Sequence, residues 1–205
     1  MSFSPINPGP VDWSGENPGI YLKESDDGPW TGLMCFYRVV CSPFGMGNGI
    51  VVLDEPNTEA GAPDVANVCI NDNELLARYL TENFFSKFAA FSVSPGVKAM
   101  SFLPMTGLRR EGDTRTSYSE IVQAEGWDVI ATWKGLGVPY AVDMPPELGP
   151  TKKHQMYSVF VDADDANVTI NGRPLKGNVV KRNFPGEKKS SAFLAFSESW
   201  MRIAE

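Results

Sequence analysis

The chain has 205 residues, of which 42% are hydrophobic and 21% charged, enough for one full hydrophobic core, short for two, and too apolar for a disordered segment. Its formal net charge of −7 repels a phosphate backbone, and the basic pairs Arg109-Arg110 and Lys188-Lys189 are isolated and flanked by acids, so a nucleic-acid partner is not expected. No apolar run reaches the ~18 residues of a membrane span, and Met1 to Trp13 shows neither a basic start nor an apolar signal region, so no membrane partner is expected and the location expected is cytoplasmic.

Frequent Gly and Pro, 19 and 16 residues, point to many short elements joined by turns. Residues 1–31 read as an extended arm anchored by Trp13, Tyr21 and Trp30, followed by one domain over 32–205. Leu33 to Cys41 and Ile50 to Leu53 read as two strands of a hairpin around a glycine-rich turn. That turn, Gly45-Met46-Gly47-Asn48-Gly49, precedes a strand and not a helix. It therefore lacks the free helix N–H groups a nucleotide loop needs. Residues 54–64 read as a polar loop and Val65 to Ile70 as a short strand.

The next segment predicts the one long helix, over 72–88. Asn71 is the expected cap, with Glu74 closing a capping box. Leu76, Leu80, Phe84 and Phe88 recur every four residues, opposite Arg78, Glu82 and Lys87, which makes the helix amphipathic. Strand signals follow at Val97 to Met105, Tyr118 to Ala124 and Trp127 to Trp133, where Trp127, Val129, Ala131 and Trp133 share one face. Met156 to Val161 and Val168 to Ile170 read as separate strands divided by a polar turn at Asp162 to Asn167. Asn171-Gly172 suits a tight type I′ hairpin, Pro174 marks an edge segment, and Ala192 to Ile203 reads as a closing strand. The fold class expected is α+β and β-rich: a curved antiparallel sheet or partly closed β-barrel with helix 72–88 against it.

Cys35, Cys41 and Cys69 sit in apolar stretches and read as buried free thiols. With a single histidine, His154, and no Cys-x-x-Cys pair, a metal centre or cofactor is not expected. Any histidine-dependent nucleophile would need His154, which reads as a surface-loop residue.

Tyr118-Ser119-Glu120, then Gly135-Leu136-Gly137-Val138-Pro139-Tyr140, then Val161-Asp162…Ala166…Gly172-Arg173 is similar to a run in acetoacetate decarboxylase-like proteins. The resemblance covers about 70 residues. It implies an enzyme acting on a small carbonyl or carboxylate compound, in which a lysine forms a Schiff base with the substrate. Pro174 replaces the acid expected after Gly172-Arg173, and the nearest lysines, Lys188-Lys189, stand further downstream than the family's motif. On this reading Glu120 works with a lysine, Lys188, or with His154 as the catalytic groups.

The residues themselves point first to a binding module for a small, largely apolar molecule. Its expected cavity is walled by Trp127, Trp133, Tyr118 and Phe84, with Glu120 as the internal polar group. A third reading is a self-associating structural protein, a homodimer joined through a strand edge.

Overall fold

Alternation of side chains along the strands builds two apolar layers, and they account for the architecture. The structure, a computed structural model, describes residues 9–58 and 65–203. Residues 1–8 of the expected arm and 59–64 of the expected polar loop lie outside the described residues.

In chain order the strands begin with β1 (Val11–Glu16), β2 (Gly19–Lys23), β3 (Trp30–Cys41), β4 (Gly47–Leu53) and β5 (Asn67–Asn71). Helix α1 (Glu74–Asn83) and the one-turn helix α2 (Ala89–Ser92) follow, then β6 (Ser101–Gly112), β7 (Ser117–Ala124), β8 (Trp127–Leu136) and β9 (Tyr140–Met144). The last third holds β10 (His154–Ile170), β11 (Arg173–Pro174), β12 (Asn178–Val179), β13 (Lys181–Phe184), β14 (Glu187–Ser190) and β15 (Ala192–Arg202).

Nine strands close into a barrel in the order β10-β8-β7-β6-β5-β4-β3-β1-β15, with β15 returning to pair with β10. Among the described strands only β5 and β6 run parallel, because the helical segment carries the chain from one to the other. The expected β-rich barrel with a helix against it is thus what forms. The stretch read as an arm supplies β1 and β2, which share the gap between β3 and β15.

One face of every long wall strand points into the barrel. Met34 and Phe36, Ile50 and Val52, Val68 and Ile70, Val122, Val129, Trp133, Val168 and Leu194 pack together there. The opposite face of β2–β5, β10 and β15 is also apolar and is covered by the helices. Tyr21, Leu33, Cys35, Val51, Cys69, Phe193 and Trp200 meet Leu76, Leu80, Phe84, Phe85 and Phe91 in this second, outer layer.

Local chemistry explains several elements and corrects others. The cap of α1 is Asn73, whose side-chain oxygen accepts from the Leu76 N–H, and not Asn71, which ends β5. Asn73 also donates to the Phe44 and Met46 carbonyls, fastening the β3–β4 turn to the helix. The Asp162 to Asn167 stretch is the middle of a single 17-residue strand and not a turn. There β10 changes partners, leaving β15 and β9 for β8, so ladder bonds hold extended a segment whose composition suggests a loop. Asn171 (φ 50°) and Gly172 (φ 78°) form the expected tight turn. Cys35 and Cys69 are buried, whereas Cys41 is exposed at the end of β3.

Candidate functional site

The barrel interior is filled. Tyr118 and Trp133 lie in it as neighbours with ring centroids 6.1 Å apart, and the Trp133 indole donates to the Gly19 carbonyl at 3.1 Å. Glu120, fully buried beside them, accepts from the Tyr118 hydroxyl at 2.5 Å and from Arg38 Nη2 at 3.0 and 3.2 Å on its two oxygens. Arg38 is also paired with Glu16. Burial pushes the Glu120 carboxyl above its ordinary range, opposed by Tyr118 and Arg38. Each of its oxygens nevertheless has a partner, as a buried ion pair requires. Trp127 is only half-buried at the edge of this layer.

His154, the first residue of β10, is buried. Its Nε2 lies 2.6 Å from Asp12 Oδ2 and its Nδ1 2.9 Å from Thr151 Oγ1. Asp12 in turn pairs with Arg202, and Phe84 packs on the imidazole at 5.0 Å. Both ring nitrogens are engaged within the protein, so His154 clamps β1, β10 and β15 together at the floor of a surface hollow. Phe84 is therefore part of the outer layer, and the four expected wall residues are split between two layers.

The outer layer also holds a cavity of about 680 Å³, within the size range of small-molecule sites. Its apolar wall comes from Tyr21, Trp30, Phe88, Phe160, Phe193 and Trp200. The β13–β14 hairpin overhangs it. Pro185-Gly186 turns this hairpin, with Gly186 at φ 92°, as a type II turn requires of its third residue. Ser190 Oγ donates to the Ala163 carbonyl, and Phe184 packs 5.4 Å from Phe160, which together pin the hairpin down.

Among the ionisable groups lining this cavity, Glu198 and Arg182 are set among its aromatic side chains. Glu198 is 2% exposed, and its Oε1 accepts from the Trp200 indole at 2.6 Å and from Asn17 Nδ2 at 3.0 Å. Asn17 Oδ1 accepts in turn from the Cys35 thiol at 2.6 Å. Among the described residues no hydrogen bond reaches Glu198 Oε2. Burial raises the carboxyl to about 7, against the pull of Asn17, Trp200 and Arg182.

Arg182 lies on the hairpin. Its guanidinium stacks 4.3 Å from the Phe193 ring and 4.9 Å from Phe184, and its Nε donates to the Ser190 carbonyl at 3.0 Å. Nη2 is sealed from solvent and makes no hydrogen bond. Burial lowers the Arg182 pKa from the ordinary arginine value, but a guanidinium remains charged. Arg182 and Glu198 sense each other's charge without forming an ion pair.

Lys188 lines the same cavity as Glu198 and Arg182, while Glu120 sits inside the barrel and His154 at the neighbouring hollow. Sequence reasoning missed both Arg182 and Glu198. The signal for Arg182 was weak: it alternates with Phe184 on a short polar strand. Glu198 was hidden by a bulge at Ser197 (φ 53°), where β15 gains one residue against β10, Tyr157 facing Ser199 but Val159 facing Phe196. The extra residue reverses the alternation, so Glu198 and Trp200 join the face of Phe193 and Ala195.

No family model, curated protein or solved structure matches this chain. Among the described residues no group of His, Cys, Asp and Glu is arranged to hold a metal ion, and no helix is long and apolar enough to cross a membrane.

Proposed function

We propose that the protein binds a small carboxylic acid with an apolar body in the outer-layer cavity. The observation that carries this reading is Arg182, whose guanidinium stacks on Phe193, lines an aromatic cavity and has no salt-bridge partner among the described residues. A guanidinium held in an apolar wall without a counter-ion is costly, and a ligand carboxylate supplies that counter-ion with the planar geometry that arginine matches. Glu198 supports the same reading. Near neutral pH its free Oε2 carries a proton part of the time and can then donate to the bound acid.

The test is calorimetric titration of the full chain with hexanoate and with hexanamide, its neutral counterpart. Hexanoate binds and hexanamide does not, and Arg182→Met weakens hexanoate by about 100-fold, as loss of a charged hydrogen bond implies. Equal binding of the two compounds, or an unaffected Arg182→Met variant, overturns the reading.

A second reading rests on Lys188 lining the same cavity as Glu198. It is an enzyme acting on a small keto acid, with the Lys188 amine condensing with the carbonyl, as the resemblance to acetoacetate decarboxylase-like proteins implies. Borohydride reduction in the presence of pyruvate then adds the mass of a reduced adduct at Lys188. An unmodified Lys188 removes this reading and leaves the binding one standing.

A further inference from the structure

Two kinds of cation line the cavity. Arg182 is half-buried, whereas Lys87, Lys181 and Lys188 are exposed, and none of these lysines has a salt-bridge partner among the described residues. Two further lysines on the wall are tethered to main-chain carbonyls, Lys23 to Asp26 and Lys152 to Glu147. The acids lining the same space are Asp26 and Glu198.

This is the reverse of the chain as a whole, whose net charge is −7. Three ammonium groups without counter-ions on the lining of one cavity favour an anionic guest and offer it more charge than Arg182 alone. The same lining includes Trp30, Phe88, Phe160 and Phe184, which offer apolar contact and no charge.

We infer that the ligand is anionic at both ends: a carboxylic acid whose apolar chain ends in a phosphate-like group, the carboxylate at Arg182 and the phosphate at Lys87, Lys181 and Lys188. The inner half of this inference rests on the carboxylate reading of the cavity, while the outer half stands on the lysines alone. A compact phosphate accepts from several ammonium groups at once, whereas an apolar tail or a neutral sugar would leave the three lysines unused.

Calorimetry with 6-phosphonohexanoate, hexanoate and hexylphosphonate separates the two halves. In low salt, 6-phosphonohexanoate binds about tenfold or more tightly than hexanoate, and added salt shrinks that gain because the outer contacts are solvent-exposed. The double variant Lys87→Gln, Lys181→Gln, made at exposed positions, removes most of the gain and leaves hexanoate within about twofold of its original affinity. The inference is overturned if 6-phosphonohexanoate binds no better than hexanoate, or if its advantage survives in the double variant. If instead hexylphosphonate binds as well as 6-phosphonohexanoate, needs the lysines and ignores Arg182→Met, the lysine subsite stands and the carboxylate reading fails. If none of the three compounds binds, both fall together.

Discussion

The two deeply buried glutamates among the described residues occupy opposite situations. Glu120, in the barrel interior, is held on both oxygens by Arg38 and on one by Tyr118 as well, in a layer filled by Phe36 and Trp133. Glu198, in the outer layer, receives two neutral N–H donors on one oxygen and presents the other to a cavity. Arg182, whose charge it feels, has no salt-bridge partner among the described residues either. Burial alone therefore does not mark a functional carboxylate. Incomplete satisfaction next to empty space does, because a satisfied network has nothing left to offer a ligand.

Substitutions at the two positions should break this contrast in opposite directions. Glu120→Ala strands Arg38 with only Glu16 and should destabilise the fold by about 3–5 kcal/mol, the range for removing one member of a buried pair; urea denaturation at neutral pH measures it. Loss of less than about 1 kcal/mol would place Glu120 with exposed carboxylates and dissolve the comparison.

Glu198→Gln should do the reverse. The folded carboxyl titrates near 7 and the ordinary value is 4.5, so between these two pH values the unfolded chain has released a proton that the native state still holds. Stability from this group is therefore highest below the unfolded pKa and falls as pH rises, and the full penalty, roughly 3 kcal/mol, is present above about pH 7. Glutamine keeps an oxygen for Asn17 and Trp200 without the charge. The variant should melt higher than the natural protein at pH 8 and lose that advantage as pH falls towards 5. An advantage that grows in acid would show that Glu198 is held ionised.

The smallest effect sharpens the geometry. Ser197→Gly relieves a left-handed backbone at the bulge and should stabilise by about 1 kcal/mol while leaving hexanoate binding intact. Ser197→Val should destabilise and weaken hexanoate binding, because the bulge is what turns Glu198 towards the cavity. Unchanged hexanoate binding in Ser197→Val would separate the bulge from the site.

Much of the architecture was readable in the chain. The alternation of Val129, Ala131 and Trp133, the four-residue spacing of Leu76, Leu80 and Phe84, and the Asn171-Gly172 turn are local patterns that report local structure. They lead to a β-rich barrel with a helix on it, since periodicity and turn chemistry act over a few residues. The place of the site was not readable. Aromatic content suggested a hollow barrel, but strand alternation gives each strand two apolar faces without saying which of them encloses a space.

The sequence by itself determined most of the long elements with their amphipathic faces, and the scarcity of histidine and paired cysteine that disfavours metal chemistry. Tertiary structure alone decided which face is filled and which is hollow. Closure of β15 onto β10 sealed the interior around Glu120, and the bulge at Ser197 turned Glu198 outward. The site then assembled from Asn17, Arg182 and Glu198, residues far apart in the chain whose proximity depends on strand pairing and on a single inserted residue. Neither leaves a trace in local composition, because register is set by long-range ladders and not by neighbours along the chain.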